Sequence, residues 1–148
     1  MHLSEFDQVI ERYHGALREL CLNGNPEPAQ EMYSHRDDAS LGNPFGPFVR
    51  GWKQVAETTE RAAAHYSNGE QCTFERVAEF ATPDLRYIVE VERYKTRVGG
   101  SQDLATVALR ATTIFRTEDG TWRIVHRHAD PITTLQPAES VLPGPAAA

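Results

Sequence analysis

Near the N-terminus the apolar positions Leu3, Phe6, Val9, Ile10, Tyr13, Leu17 and Leu20 recur every three or four residues. That spacing lines them up on one stripe of a helix. Ser4 is placed to cap it, with Asp7 three residues on as a weak capping box. Asn23-Gly24-Asn25-Pro26 ends this helix and opens a second over residues 26–33, with Asn25 as N-cap and Pro26 at the first helical position. Residues 37–43 read as a short strand entered from a turn. Pro44-Phe45-Gly46-Pro47 follows as a rigid apolar loop, because its prolines fix φ and remove two backbone donors. Helical spacing returns at Trp52, Val55, Thr59, Ala62, Ala63 and Tyr66, with Ser67-Asn68-Gly69 as the stop.

Beyond that point the pattern is strand-like: residues 72–80, 85–98, 103–117 and 121–130. Thr82-Pro83-Asp84, Gly99-Gly100 and Glu118-Asp119-Gly120 supply the turns, and Pro131 ends the last strand. One strongly bent antiparallel sheet around three N-terminal helices would bury both patterns, which makes residues 1–131 a single α+β domain. Residues 132–148 are expected to be a mostly irregular tail. Val89, Val91, Val107, Leu109, Ile114 and Val125 fall on alternating sides of the long strands. The sheet's outer face is therefore expected to be covered by a second copy in a symmetric homodimer.

Composition narrows the function. A chain of 148 residues, 40% hydrophobic and 24% charged, is a globular composition with room for one ordinary domain. No apolar run approaches the ~20 residues of a membrane span. A net charge of −6 disfavours nucleic acid, whose binding needs clustered positive charge. The N-terminus shows neither a basic region nor an apolar core, and Cys21 and Cys72 form no CxxC. Two reduced thiols in the cytoplasm are expected.

Several residues could carry chemistry. His126, His128 and Asp130 alternate on the last strand, sharing a face with Trp122 and Ile124. His-x-His can hold a metal with Asp130 as third ligand, but histidines hydrogen-bonded at the end of the sheet or in a dimer contact are the expected reading; no metal and no cofactor are assigned. Arg110 stands mid-strand among apolar neighbours. Its partner is either Glu90 or Glu92 on the adjacent strand, or the carboxylate of a ligand gripped by its planar fork. Glu90 and Glu92 share one face of a central strand, where they could do acid–base work or form a salt-bridged outer face. Trp52, Phe45, Phe48 and Tyr87 could line a small-molecule cavity or be plain core.

Glu11-Arg12-Tyr13, the stretch from Tyr33 to Pro44 with Gly51-Trp52 after it, and the hairpin stretches Leu109–Arg116 and Asp119–His128 together resemble the nuclear-transport-factor-2-like superfamily. The resemblance is to its SnoaL-like and ketosteroid-isomerase-like branches. The hairpin is most similar to the group that includes the association domain of calcium/calmodulin-dependent kinase II. It implies a cone-shaped sheet with an internal pocket over residues 3–131. Against the isomerase pattern, Tyr13 stands at the tyrosine position, Asn43 at that of the base and Thr113 near that of the acid. An amide cannot take the proton, so the isomerase carboxylates are missing. Superposing the last strand on that pattern would turn Val125 and Arg127 inward, whereas its more aromatic face is that of Trp122, Ile124, His126 and His128; the latter is the face expected to line the pocket.

The sequence thus points to a pocket protein of the SnoaL-like kind for a small apolar or carboxylate-bearing molecule, with Tyr13, Asn43, Trp52, Tyr87, Arg110, His126 and His128 as candidate pocket residues. It names no catalytic residue. An isomerase, cyclase or hydrolase of that fold and a non-enzymatic binding or oligomerisation domain both remain open.

Overall fold

The computed structural model describes residues 4–144; Leu3 of the predicted stripe and the last four residues of the tail lie outside them. Helix α1 (Glu5–Asn23) begins with the expected capping box: the Ser4 hydroxyl accepts from Asp7 N at 3.0 Å, and the Asp7 carboxylate accepts from Ser4 N at 3.3 Å. It stops at Gly24, whose φ of 67° favours glycine and whose Cβ would lie 2.7 Å from the Tyr66 carbonyl oxygen. Helix α2 (Glu27–Met32) is shorter than residues 26–33. It begins one residue later than expected, with Asn25 Oδ1 accepting from Glu27 N at 3.3 Å.

Strands β1 (Ser40–Gly42) and β2 (Val49–Arg50) form a small antiparallel pair around the proline loop. The sequence pattern missed β2, because two residues carry no alternation. Helix α3 (Trp52–Ala63) ends earlier than its apolar spacing suggested, and Tyr66 opens strand β3 (Tyr66–Ala81). Ser67-Asn68-Gly69 is therefore not a helix stop but an irregularity within β3. Asn68 has φ 46°, the register shifts between Ser67 and Gln71, and a Cβ on Gly69 would meet Leu22 of α1 at 2.5 Å. Strands β4 (Leu85–Val98), β5 (Ala105–Glu118) and β6 (Thr121–Asp130) follow closely on the expected boundaries. A short 3-10 turn, Ala138–Val141, lies in the tail.

The strand order is β2-β1-β6-β5-β4-β3. All neighbours are antiparallel except β1 and β6, which run parallel, so the sheet is mixed rather than purely antiparallel. The three helices and this open six-stranded sheet make an α+β cone. Helix α1 packs along its inside, held at its C-terminal end where the Thr96 hydroxyl donates to the Cys21 carbonyl at 2.6 Å. Two apolar clusters fill the cone: one around Phe6, Phe115, Trp122 and Ile124, the other around Ala16, Leu20, Tyr66, Tyr94 and Leu109. Burying each large apolar side chain contributes about 1.5–3 kcal/mol.

A bulge decides what else points inward. Ile114 pairs with His126 and Phe115 with Ile124, which leaves Val125 of β6 without a partner. Trp122 and Ile124 are buried on the inner face before the bulge, and Arg127 and Ala129 are buried on it afterwards. The alternation expected to carry Trp122 through His128 on one face is broken, and His126 and His128 turn outward.

Candidate functional site

Between α1, α2, α3 and β1 on one side and β5 and β6 on the other lies a narrow cavity of about 40 Å³. That is room for roughly three waters. Its wall is mostly apolar (Leu17, Leu20, Ala29, Leu41, Leu109, Ile124), and its polar groups come from Tyr13, Tyr33, Tyr66, Asn43, Thr59 and Arg127. No carboxylate and no histidine is among the lining residues.

Arg127 is the centre of the polar floor. Its Nη1 donates to Glu92 Oε2 and to the Tyr13 hydroxyl, both at 2.6 Å, and its Nη2 donates to Glu92 Oε1 at 2.7 Å. The Tyr94 hydroxyl also donates to Glu92 Oε1, and the Tyr13 and Thr113 hydroxyls share a hydrogen bond of 2.7 Å. Both oxygens of Glu92 are thus occupied, and the carboxylate is wholly buried. Burial alone would lower the Arg127 pKa, but Glu92 outweighs it and holds the guanidinium charged, well above its ordinary value. A guanidinium has five N–H donors, and three are spent here, so two remain for other partners.

The tyrosines are protonated donors. Burial pushes the Tyr33 hydroxyl up to about 12, against a downward pull from Arg127. The hydroxyls of Tyr13 and Tyr66 lie still further above the phenol range for the same reason. Cys21, which also lines the cavity, is held as a thiol by burial. The Tyr33 and Tyr66 hydroxyls make no hydrogen bond to any of the described residues, and neither is a fully enclosed orphan. They are free to serve a guest.

The residues singled out from sequence are scattered. Tyr13 and Asn43 line the cavity. Asn43 Oδ1 accepts from Phe45 N at 3.0 Å, so the residue at the isomerase base position instead shapes the loop over the cavity mouth. Trp52 stacks on His35 at 3.8 Å in a separate surface groove, and Tyr87 lies half-buried on the outer face of β4, against Phe80. Arg110 does not reach the cavity. It lies on the outer face, opposite the buried Leu109 and Ala111, and its Nε donates to Asp130 Oδ1 at 2.7 Å rather than to Glu90 or Glu92. His126 and His128 are outside as well: His126 Nδ1 bonds the Ser40 hydroxyl at 2.7 Å, His128 Nε2 lies 3.4 Å from Asp130 Oδ2, and Phe48 packs beside both rings.

Glu90 and Glu92 do share a face, but it is the inner one. Glu90 is buried against His14 Nε2 at 2.8 Å and Arg76 Nε at 3.0 Å. Burial raises its pKa, and the bonds from His14 and Arg76 more than reverse that, leaving it lowered. Arg127, Tyr33 and Tyr66 are the site residues that alternation missed. Superposition on the isomerase strand pattern was the one signal that turned Arg127 inward.

Comparison with known proteins agrees with this architecture. A superfamily protein from Salmonella enterica described as nuclear-transport-factor-2-like is similar with a TM-score of 0.71 and 17% identity, over 91% of this chain and 94% of that one. A ketosteroid isomerase-like protein from Erwinia carotovora superposes with a TM-score of 0.70 at 14% identity, over 86% and 94% of the two chains. A candidate calcium/calmodulin-dependent protein kinase type II association domain from Thiobacillus denitrificans gives 0.69 at 17% identity, over 88% and 96%. These likenesses establish the fold, which hosts many unrelated functions. No curated protein matches the sequence. Residues 7–133 match the SnoaL-like domain family, and with most of its length accounted for in this way the chain belongs to that family.

Proposed function

We propose that this protein binds a small, largely apolar molecule by an oxygen acceptor, a carbonyl or a carboxylate, that enters the cavity and is held there by Arg127 and the tyrosyl hydroxyls. One observation carries the reading. The lining supplies hydrogen-bond donors from Arg127, Tyr33 and Tyr66, while Glu92, the carboxylate beside it, has both oxygens occupied. Donors without a base suit binding and polarising a carbonyl, not abstracting a proton beside it. A binding role is therefore favoured over isomerisation.

Tyr33→Phe tests this directly, because it removes a donor that the protein's own hydrogen bonds do not use. Acetophenone at millimolar concentration should raise the melting temperature more than ethylbenzene, which has nearly the same shape and no acceptor. Tyr33→Phe should shrink that difference. Equal effects of the two compounds, or none from either, would refute the reading.

A further inference from the structure

The cavity is far smaller than an ordinary ligand site, which runs from about 300 Å³ upward. Against its mouth lies a surface groove of about 250 Å³, lined by Gly46, Pro47, Val49, Thr58, Arg61 and His65. Asn43, Phe45 and Ala62 line both spaces. The ring of Phe45 touches both: its centroid lies 4.4 Å from that of His65, which lines the groove, and 5.8 Å from that of Tyr66, which lines the cavity. Phe45 is 44% exposed, so little packing holds it in place. Among the described residues its backbone N–H is tethered by the Asn43 side chain, and the loop around it is closed by a weak Asn43–Gly46 turn of 3.5 Å.

The groove also has a charge the cavity can use. Arg61 bonds the Thr58 hydroxyl at 3.0 Å, and among the described residues no carboxylate comes within ion-pair distance of it. In a chain of net charge −6 this leaves a cation without a carboxylate partner among the described residues that line the groove.

Building on the cavity reading, we propose that cavity and groove are two compartments of one site closed by Phe45, and that its ligand is an elongated amphipathic anion. Its oxygen acceptor rests on the Arg127 floor, its apolar body replaces the Phe45 ring between His65 and Tyr66, and its anionic group meets Arg61. The ligand class is a flat or chain-like apolar molecule carrying an acceptor at one end and a carboxylate or sulfonate at the other.

Two dyes with the same aromatic body probe this: anilinonaphthalene sulfonate, an anion, and phenylnaphthylamine, which is neutral. The sulfonate should bind more tightly. Arg61→Gln should weaken it about fivefold and leave the neutral dye unchanged, as expected for one partly exposed ion pair. Phe45→Ala should speed association of both dyes, and Phe45→Trp should slow it; Arg61 and Phe45 are both exposed enough to spare the fold. Ala62→Phe, which would fill the shared wall, should block both dyes. Because that residue is buried, displacement of the dyes by acetophenone gives the same information in the unaltered protein. An Arg61→Gln protein that binds both dyes normally, dyes that acetophenone does not displace, or no dye binding even to Phe45→Ala would each overturn the two-compartment site. The acetophenone–ethylbenzene comparison stands apart: its failure sinks the cavity reading, whereas failure of the dye results alone sinks only this extension.

Discussion

Replacing Glu92 by glutamine exposes how much of the stability depends on one buried charge pair. Glu92 is wholly buried and Arg127 is 8% exposed, so neither charge has bulk water to turn to. Glutamine keeps the shape but removes the negative charge. It also turns one oxygen, which accepts from Arg127 at 2.6 or 2.7 Å, into an NH₂ facing another donor. Breaking a buried pair by removing one partner costs about 3–5 kcal/mol, mostly because the surviving charge is stranded. For a chain of this length each kcal/mol shifts the melting temperature by about 2–4 °C. Glu92→Gln should therefore lower the transition by roughly 6–20 °C. The assay is urea unfolding, where the midpoint should fall with the m-value unchanged. The double variant Glu92→Leu/Arg127→Met should recover much of the loss, since an apolar pair carries no stranded charge. A Glu92→Gln cost below about 1 kcal/mol, or a double variant as unstable as the sum of the singles, would refute the reasoning.

Other expectations follow from the same geometry. Burial, then the neighbouring His128, depresses the His126 pKa below 6.5, so the folded protein binds that proton less well than the unfolded chain. Its contribution is complete above 6.5 and is lost as pH falls through the folded value; His126→Asn should flatten the stability profile there, and an unchanged slope would refute it. Glu90, held low by His14 and Arg76 despite burial, contributes above its ordinary 4.5 and loses that contribution as pH falls further. Glu90→Gln should therefore blunt acid unfolding, read by circular dichroism along a pH titration. Arg110→Ala removes an exposed pair with Asp130 and should leave acetophenone binding unchanged; a clear loss would place Arg110 at the site after all. We also expect a homodimer through the outer sheet face, where Val89, Val91 and Ile114 are half-buried in a single chain. Light scattering at tens of micromolar should give twice the chain mass, and a monomer mass would refute it.

Much of the fold was legible because long elements write their period into the sequence. Helix α1 shows six apolar positions of the predicted stripe and its cap, and β4, β5 and β6 show alternation bounded by turn residues. Short and irregular features leave no such trace. The parallel pairing of β1 with β6 depends on where the chain returns after α2, which no local pattern records. Tyr66 fits the helical stripe of α3 and the first position of β3 equally well, so spacing could not choose. The site was less legible than the fold. Glu90 and Glu92 read as a polar outer surface because their partners, His14, Arg76 and Arg127, come from other elements. Arg110 and Arg127 are each a guanidinium in the middle of a strand, the first between Leu109 and Ala111 and the second between two histidines, and neither setting says which face it takes. Only the bulge at Val125 decides that the second enters the cone beside Tyr13.

That unpaired valine makes β6 a strand with one residue to spare. Deleting Val125 would heal the ladder without changing which way Arg127 or the two histidines face, because the extra residue already sits outside the pairing count. The cost would be the local bend that the bulge gives the sheet. Strand β4 has no such reserve: from Ile88 to Thr96 it pairs with β5 without interruption. Loss of one residue there would reverse the parity of every position beyond it, carry the carboxylate of Glu92 to the opposite surface and leave the guanidinium of Arg127 unmatched. Length variation among relatives should therefore be tolerated in the last strand and purged from the one that answers it.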